Sequence, residues 1–539
     1  MAAKEAEQVV LDEEDEELRE DLAPGDCGTA MLITSDSYEH LAAEDFEKSR
    51  AIIKRKGHIH DIVRQSSHEE HDSSGGEQTG HANNLDAEKL TPSASEDSSD
   101  QSDSGSKDLS GVIDQITRTQ VLDEDDDVKT PEWRGQRKHV FILSDSGKPV
   151  YSRHGNEDKL VTIFGVMQAL VSFVQDSSHD TLRSIVVGEH RVVFLHLDHL
   201  ILVCVTRGGE SDRQIRIQLH YLYNQVLSVL TLSSLKKIFK QRRNYDLRRQ
   251  LSGSEKFLDS LLKMMETEPG LLLGAVRCLP LENATRDMIA QSIVQHAKVK
   301  DLVFALIITN SQLVTLVRMK KYFLHPMDLH LIINLINSAE SFKAAESWTP
   351  ICLPKFDSSG FLQAHISYLD EECQTCLLLL SVDRDSFFTL SECKRRITER
   401  LIKYNGLRAI ADSLRKDSYN ISKCGITDLR HFLYKNKSTA QYTSPELQAP
   451  YLTPDQQERL FSLYYYLHNR IHSSSRPLKI LYHVGQYEAL LGWVTGGFEL
   501  YAVFGPLVTK SLAINAVNKL MAWIRKEANR LFILESVTF

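Results

Sequence analysis

One pattern occurs three times along the chain: three strand-length apolar segments separated by short turns, followed by a helix-length amphipathic segment. The occurrences lie around residues 181–233, 360–404 and 478–530. Their spacing is far longer than the roughly 20–50 residues of solenoid repeats, so the pattern indicates tandem domains rather than a repeat array. A sheet of this kind must bury a face against helices, which predicts the α+β class with mixed sheets.

The first unit has further elements before its three-strand meander. The apolar run HVFILSD (139–145) is typical of a buried strand. Ser-Gly-Lys-Pro then predicts a tight turn, and PVYSR (149–153) predicts a second strand. Residues 160–173 predict a helix, and 212–239 show the 3.6-residue spacing of an amphipathic helix. The order is therefore two strands, a helix, three strands and a helix.

The helix predicted over 160–173, LVTIFGVMQALVSF, is apolar on more than one side. A helix that is apolar all round is buried on more than one face. We therefore expect it to pack against its own sheet and against another protein. The predicted partner interface consists of Val166, Met167, Leu170 and Val171.

The later units have similar content. The second unit starts near Leu271 with LLLGAVRCLPL, and the segments 285–296, 327–342 and 386–404 predict helices with strands between them. The last meander, LKILYHV, EALLGWVT and FELYAVFGPLV, leads into a helix predicted over 510–531. These periodicities predict three folded domains, at 136–268, 269–405 and 406–539.

Residues 1–135 differ in composition from the rest. They open with LDEEDEELREDL and become rich in Ser, Asp, His and Gly, as in SASEDSSDQSDSGS. Such a segment has too little apolar surface to offset the entropy of ordering it. We predict a disordered, acidic and Ser-rich regulatory tail.

Charge and hydropathy exclude several classes of protein. There are 63 Lys and Arg against 73 Asp and Glu, a net charge of −10, whereas nucleic-acid-binding domains tilt basic, so no nucleic-acid partner is expected. No run reaches the roughly 18 apolar residues of a membrane span. The acidic N-terminus also lacks the basic start of a signal peptide. We expect a cytoplasmic protein that meets membranes peripherally.

Motifs for covalent chemistry are missing from the sequence. The segment 144–148 resembles a phosphate loop, but Ile142 stands where the first Gly is required and Pro149 follows the Lys. Cys373 and Cys376 have zinc-ligand spacing without a second pair, which is typical of structural thiols. No nucleophile elbow, kinase set or zinc-protease motif occurs. No catalytic, cofactor-binding or metal-binding residue is therefore predicted.

A basic segment at 233–251 is the strongest charge feature of the folded part. Apolar residues interleave its cations, and such a helix can lie on anionic lipid or bind an acidic partner. A solvated face at the end of a domain is the alternative, and 394–416 offers the same two readings. The cations of the basic segment are Lys236, Lys237, Lys240, Arg242, Arg243, Arg248 and Arg249.

The order of elements is that of longin domains, and residues 137–533 resemble the Mon-one/SAND family in sequence. The similar segments follow one another in the family's order. They are RKHVFILSDSGKPVYSRHG (137–155), FGVMQALVSFVQ (164–175), NYDLRR (244–249), LLLGAVRCLPL (271–281), WTPICLPKFDSSGF (348–361), LRHFLYK (429–435), YTSPELQAPY (442–451), RPLKILYHV (476–484), FELYAVFGPLVTK (498–510) and RLFI (530–533).

The resemblance implies three tandem longin domains, each a five-stranded mixed antiparallel sheet with flanking helices. It also implies a subunit of a guanine-nucleotide exchange factor that pairs with a Ccz-one-type trilongin subunit. The implied substrate is a Rab-seven-type GTPase, with a Rab-five-type GTPase for recruitment and a further scaffold subunit in animals. The exchange surface is implied to lie in the paired first longin domains, on endosome, lysosome, vacuole and autophagosome membranes that carry anionic phosphoinositides.

Two other classes of function stay open at this point. One is a non-catalytic longin adaptor or tether subunit. This class would be excluded if the chain and its partner accelerated release of GDP from the Rab-seven-type GTPase. The other is a hydrolase or lipid transferase in the second unit. A deep pocket with converging titratable groups would support that class, and a filled core would exclude it.

Overall fold

The computed structural model describes residues 8–10, 130–415, 419–473 and 475–539. Most of the tail predicted to be disordered lies outside these residues. Two short pieces of it are described: strand β1 (Gln8–Val10) and helix α1 (Pro131–Gly135).

The first domain contains one antiparallel sheet between two long helices. Its strands have the order β3-β2-β6-β5-β4. Helix α2 (Val161–Ser178) packs through Phe164 on one face of the sheet, where it meets Phe141 and Phe194. Helix α3 (Asp212–Leu230) packs on β5 and β6. The strands are β2 (Lys138–Ser144), β3 (Pro149–Ser152), β4 (Ser184–Val187), β5 (His190–Leu197) and β6 (Leu200–Thr206).

The single helix predicted over 212–239 is two helices. Thr231, at a φ of 62°, ends α3, and α4 (Leu232–Gln241) follows at once. The Thr231 Oγ1 accepts the amide of Ser234 at 3.2 Å, so this residue stops one helix and caps the next. Three short helices follow: α5 (Arg248–Leu251), α6 (Glu255–Thr267) and α7 (Pro269–Leu273).

The second domain has the strand order β10-β11-β12-β8-β9-β18, with helices on both faces. The long leucine run predicted as a strand is β12, buried throughout. Its elements are α8 (Asn283–His296), β8 (Leu302–Thr309), β9 (Gln312–Arg318), α9 (Pro326–Ser338), α10 (Ser341–Ala344), β10 (Ser347–Leu353), β11 (Asp357–Tyr368), β12 (Thr375–Ser381), α11 (Phe387–Lys403) and α12 (Gly406–Arg415).

The third domain has the order β1-β15-β16-β17-β13-β14-β7, again between helices. Each domain therefore contributes five antiparallel strands of its own, which confirms the predicted architecture. The elements are α13 (Ile421–Cys424), β13 (Leu429–Asn436), β14 (Gln441–Thr443), α14 (Pro454–Ile471), β15 (Ile480–Val484), β16 (Ala489–Val494), β17 (Phe498–Phe504) and α15 (Lys510–Leu531).

The second and third domains interlock through two exchanged strands. Strand β7 (Val276–Arg277), which precedes the second domain, pairs in parallel with β14 of the third sheet. Strand β18 (Val537–Thr538), at the C-terminus, pairs in parallel with β9 of the second sheet. The segment that opens the second unit at Leu271 is helical at first: residues 271–273 end α7, and Gly274 (φ 57°) turns the chain into the two-residue β7.

Helix α3 joins the first domain to the other two. The Tyr221 hydroxyl donates to Nδ1 of His330 at 2.9 Å, while Nε2 of His330 donates to the Ala275 carbonyl at 3.1 Å. The Gln214 amide donates to the carbonyl of Tyr465 at 2.9 Å. Burial lowers the pKa of His330 to about 4, so this ring is neutral and holds one tautomer at the junction.

None of the helices in the described part of the chain combines the length and apolar character needed to cross a bilayer.

Candidate functional site

The outer face of helix α2 is apolar and uncharged. Asp176 is its single charged residue in 18. Four residues spaced by four positions, and so neighbours on one side of the helix, are exposed: Val161, Gly165, Ala169 and Phe173. Val161 and Phe173 keep 51% and 60% of their surface accessible. We call these four residues the α2 face.

The interface residues predicted from the sequence lie mostly on the inner side of α2. Met167 and Val171 belong to the core of the first domain, and Leu170 is also buried. Val166 is half-buried. The periodicity favoured the inward side of this helix, because the most apolar residues are those that the domain itself buries. Contact of Val166 with a partner stays a prediction, and the α2 face carries the exposed apolar surface.

Strand β4 is the open edge of the first sheet. Among the residues that the structure describes it pairs with β5 alone, and Val186 on it is 63% exposed. The opposite edge, β3, is covered by α5, and the Tyr151 hydroxyl there bonds Asp259 of α6 at 2.5 Å. An uncovered edge strand presents unpaired backbone groups to another chain. The α2 face and β4 together form the candidate partner surface.

The basic segment extends over α4, the following loop and α5. Two of its seven cations are held by the chain: Lys236 pairs with Asp198 at 3.0 Å, and Arg248 pairs with Asp158 at 2.6 Å. The other five are exposed, and none of them forms an ion pair with a residue in the described ranges. They are Lys237, Lys240, Arg242, Arg243 and Arg249. These cations are available to an anionic surface.

The nearby acidic groups are already used by the protein. Asp145 accepts from His196 Nε2 at 2.7 Å and lies 3.3 Å from His199 Nδ1. Burial raises the pKa of Asp145, but the bonds from the two histidines outweigh it and lower the pKa. The bond to Asp145 raises the pKa of His196. Asp145 is therefore held by the two histidines and pairs with none of the five remaining cations.

The His196–Asp145 pair should make the first domain pH-sensitive. Folding raises the pKa of His196. The pair therefore stabilises the fold fully at a pH below the pKa of His196 in the unfolded chain, about 6.5. That stabilisation is lost as the pH rises through the pKa of His196 in the folded chain. We expect the free energy of local opening of the turn at 144–148 to fall by about 0.5–1 kcal/mol between pH 6 and 8. This figure is reduced because water screens the partly exposed pair. Hydrogen exchange, corrected for intrinsic rates, measures this. His196→Gln should remove the pH dependence; an unchanged dependence would assign it elsewhere.

A cluster of His468, His472 and Glu499 has the residue types of a metal site. Its charges are already balanced within the protein. Glu499 lies 3.4 Å from His472 Nε2 and 3.4 Å from Lys435 Nζ, and these partners lower its pKa despite burial. The Gln214 amide faces Nδ1 of His468 at 3.3 Å, which leaves the proton on Nε2. Lys435 and Glu499 form an ion pair within the third domain, and the hydrogen bond from Gln214 to His468 links this polar cluster to the first domain.

A cavity of about 370 Å³ lies between the second and third domains. Its lining includes Glu268, Arg277 and His431. Both ring nitrogens of His431 are occupied, by the Tyr464 hydroxyl at 2.6 Å and the Pro445 carbonyl at 3.3 Å. Burial raises the pKa of Glu268. Neither ring nitrogen of His431 is therefore free to act as a general base in this cavity.

Comparison with family models matches three segments of the chain. Residues 138–261 match the first longin domain of FUZ, MON1 and HPS1, 300–399 match the second, and 428–528 match the third. The first match contains both the candidate partner surface and the basic segment.

The chain is also similar to named proteins over most of its length. It is 53% identical over 416 residues to vacuolar fusion protein MON1 homolog A of Gallus gallus, covering 77% of this chain and 75% of that protein. It is 50% identical over 422 residues to the Homo sapiens homolog A, covering 78% and 64%. It is 42% identical over 427 residues to the Homo sapiens homolog B, covering 76% and 77%. The chain thus spans slightly less than two thirds of the human homolog A.

Proposed function

The chain belongs to the MON1 family of vacuolar fusion proteins built from three longin domains, and on this premise we propose that it is one subunit of a heterodimeric guanine-nucleotide exchange factor. Its proposed partner is a Ccz-one-type trilongin protein. Its proposed substrate is a Rab-seven-type GTPase, in endosome maturation and in fusion of late endosomes, lysosomes or vacuoles, and autophagosomes.

The observation that carries the proposal is the exposed, uncharged α2 face next to the open strand β4. An 18-residue helix with a single charge is unusual on a solvated surface. An apolar helix face beside an unpaired edge strand supports pairing with a second sheet-and-helix domain. A second longin domain has that shape. This chain alone is expected to be inactive, because the exchange surface would be completed by the partner.

Exchange requires a shaped surface rather than a catalytic residue. A nucleotide held at picomolar affinity is bound by about 16 kcal/mol. The factor must bind the nucleotide-free GTPase more tightly than the loaded one, and by linkage it then weakens the nucleotide by the same factor. Displacing a switch segment and its Mg²⁺ achieves this. The proposed activity therefore needs no general base and no metal ligand from this chain.

Release of labelled GDP tests the proposed function. The chain, its trilongin partner and their complex are each mixed with a Rab-seven-type GTPase loaded with fluorescent GDP. We expect acceleration by the complex and little by either subunit alone. A Rab-five-type GTPase serves as the specificity control. If the complex forms but does not accelerate release at any concentration, the chain is the adaptor or tether subunit that is the alternative.

The five unpaired cations of the basic segment support a membrane role. We propose peripheral recruitment to membranes rich in anionic phosphoinositides, assisted by a Rab-five-type GTPase and, in animals, by a scaffold subunit. Exposed cations near such a surface contribute about 1 kcal/mol each, and the attraction is screened by salt.

Charge removal tests this membrane contact. Changing Lys237, Lys240, Arg242 and Arg243 to Gln should weaken binding to anionic vesicles at least tenfold in low salt, because about 1 kcal/mol is lost per cation. Vesicle sedimentation measures the effect. The double change of Arg395 and Arg396, which are exposed and paired with Glu392, compares the second basic segment, 394–416, with the first. Equal losses in both variants would show a nonspecific charge effect.

A further inference from the structure

The outer edge of the third sheet is closed by the chain's own N-terminal segment. Strand β1 pairs antiparallel with β15 in the register Gln8 with His483, Val9 with Tyr482 and Val10 with Leu481. The other edge of this sheet is closed by β7. Without β1, strand β15 would be an edge with unpaired backbone groups, as β4 is in the first sheet.

Successive residues of β15 direct their backbone N–H and C=O groups alternately toward β16 and toward β1. The Lys479 carbonyl accepts the amide of Val494 at 2.7 Å, and the amide of Gly485 donates to the carbonyl of Glu488 at 2.8 Å. Odd-numbered residues of β15 therefore face β16, and even-numbered ones direct their N–H and C=O groups outward. In the observed register, Tyr482 is the residue that exchanges hydrogen bonds with Val9.

Side chains on both faces of β15 are already in use. Leu481 is buried in one core of the third domain and Tyr482 in the other. The outer edge of β15 therefore presents backbone N–H and C=O groups, which are the groups that an added strand binds.

Charge around β15 complements the sequence that follows β1. Residues 12–17 are DEEDEE. The antiparallel register places Val10, the described residue that precedes this run in the sequence, opposite Leu481 near the start of β15, and Arg476 and Lys479 just before that strand are exposed. A run of like charge next to opposite charge favours one direction and one register of docking.

We propose that the outer edge of β15 is a strand-addition site whose occupant is the acidic N-terminal segment of the same chain, centred on Val9. The described pairing covers three residues, few enough for its occupancy to be reversible. An extended peptide of the same kind, with an acidic run after its apolar centre, competes for the site. This interaction lies outside the first domain and is independent of the proposed exchange activity.

Proline substitution at adjacent positions tests the site. Val9→Pro removes the amide that bonds Tyr482, whereas Val10→Pro removes an amide that points away from β15 and leaves the ladder intact. Hydrogen exchange of the segment around Tyr482 is measured in the full chain. We expect at least tenfold faster exchange at Tyr482 in Val9→Pro than in the wild type, with Val10→Pro close to the wild type. Equal exchange in all three chains would overturn the proposal.

A labelled peptide of residues 1–24 gives a second readout. The full-length Val9→Pro chain, whose own strand is weakened, should bind the peptide at least tenfold more tightly than the wild type, and binding should weaken with salt. Thermal unfolding confirms that the folded domains are intact, since the change lies outside them. Equal binding of the wild type and Val9→Pro, or binding by a peptide carrying the same proline, would contradict strand addition.

Discussion

Replacing Phe173 by Asp is expected to weaken the heterodimer strongly while leaving this chain folded. Phe173 is 60% exposed near the end of α2, so a charge there meets solvent in the free chain. In the proposed complex the same position becomes buried, and a central aromatic residue of an interface contributes about 2–4 kcal/mol. Partner affinity should therefore fall by roughly 30- to 900-fold, as measured by calorimetry or analytical ultracentrifugation.

Phe388→Asp is the matched control for this change. Phe388 also lies on a helix and is 82% exposed, but it belongs to the second domain. We expect the control to keep partner affinity within a few-fold of the wild type. Full affinity in Phe173→Asp, with a Tm equal to that of the wild type, would remove the α2 face from the interface.

Loss of the partner should also remove nucleotide exchange. At subunit concentrations near the wild-type Kd, Phe173→Asp should show only the basal rate of GDP release. Raising both subunits far above that concentration should restore the rate, since the change affects assembly. A variant that assembles normally but no longer accelerates release would place Phe173 against the GTPase instead.

The inner side of α2 does not allow the same test. Met167→Asp would place a charge in the core beside Phe141 and Phe194, which costs several kcal/mol. That variant is expected to unfold the first domain whether or not a partner exists. The sequence indicated α2 as a candidate because its lack of charge is visible in the residues, and its contact with a partner stays a prediction. It did not predict which side faces outward, since both sides are apolar.

Elements long enough to show several hydrophobic repeats were predictable from the sequence, whereas the short exchanged strands were not. The buried runs of β2, β8 and β12 and the helix α15 follow directly from their hydrophobic patterns. Strands β7 and β18 have two residues each, too few to show a period of two. Their pairing depends on where two folded domains meet, which is a property of tertiary packing.

The junctions between domains were missed for a related reason. Polar residues on α3, such as Gln214 and Tyr221, look like a solvated face in the sequence, yet both are buried. Their partners lie more than a hundred positions away. Only the break at Thr231 had a local signal, because a Thr followed three residues later by Ser234 fits a helix cap, although apolar spacing continues across it.

The largest effect on stability is expected from Arg286, a buried cation in α8. Its guanidinium donates to the carbonyl of Val314 at 2.8 Å, to that of Leu279 at 2.9 Å and to that of Arg530 at 3.0 Å. Arg530 lies in the last turn of α15, where the helix dipole favours a cation. Arg286 thus fastens the second domain to the end of the third. Burial lowers the pKa of Arg286, but the group stays charged at neutral pH.

Arg286→Met should therefore destabilise the chain by about 2–4 kcal/mol, because buried carbonyls lose their donors. Arg286→Lys should be nearly as harmful, since one ammonium cannot reproduce the planar fork. We expect hydrogen exchange to rise first in the last turn of α15 and in β18, with a lower Tm.

Arg207→Met is the control for Arg286→Met. It removes an exposed arginine that makes similar hydrogen bonds, so the comparison isolates the effect of burial. Arg207 also donates to two backbone carbonyls, those of Arg134 and Gln136, but at the surface. Water replaces an exposed donor, so we expect a loss below about 1 kcal/mol. Similar shifts in Tm for the two variants would mean that the junction between the second and third domains is held by its apolar contacts. The exchanged strands would then be a consequence of that packing rather than part of what fixes it.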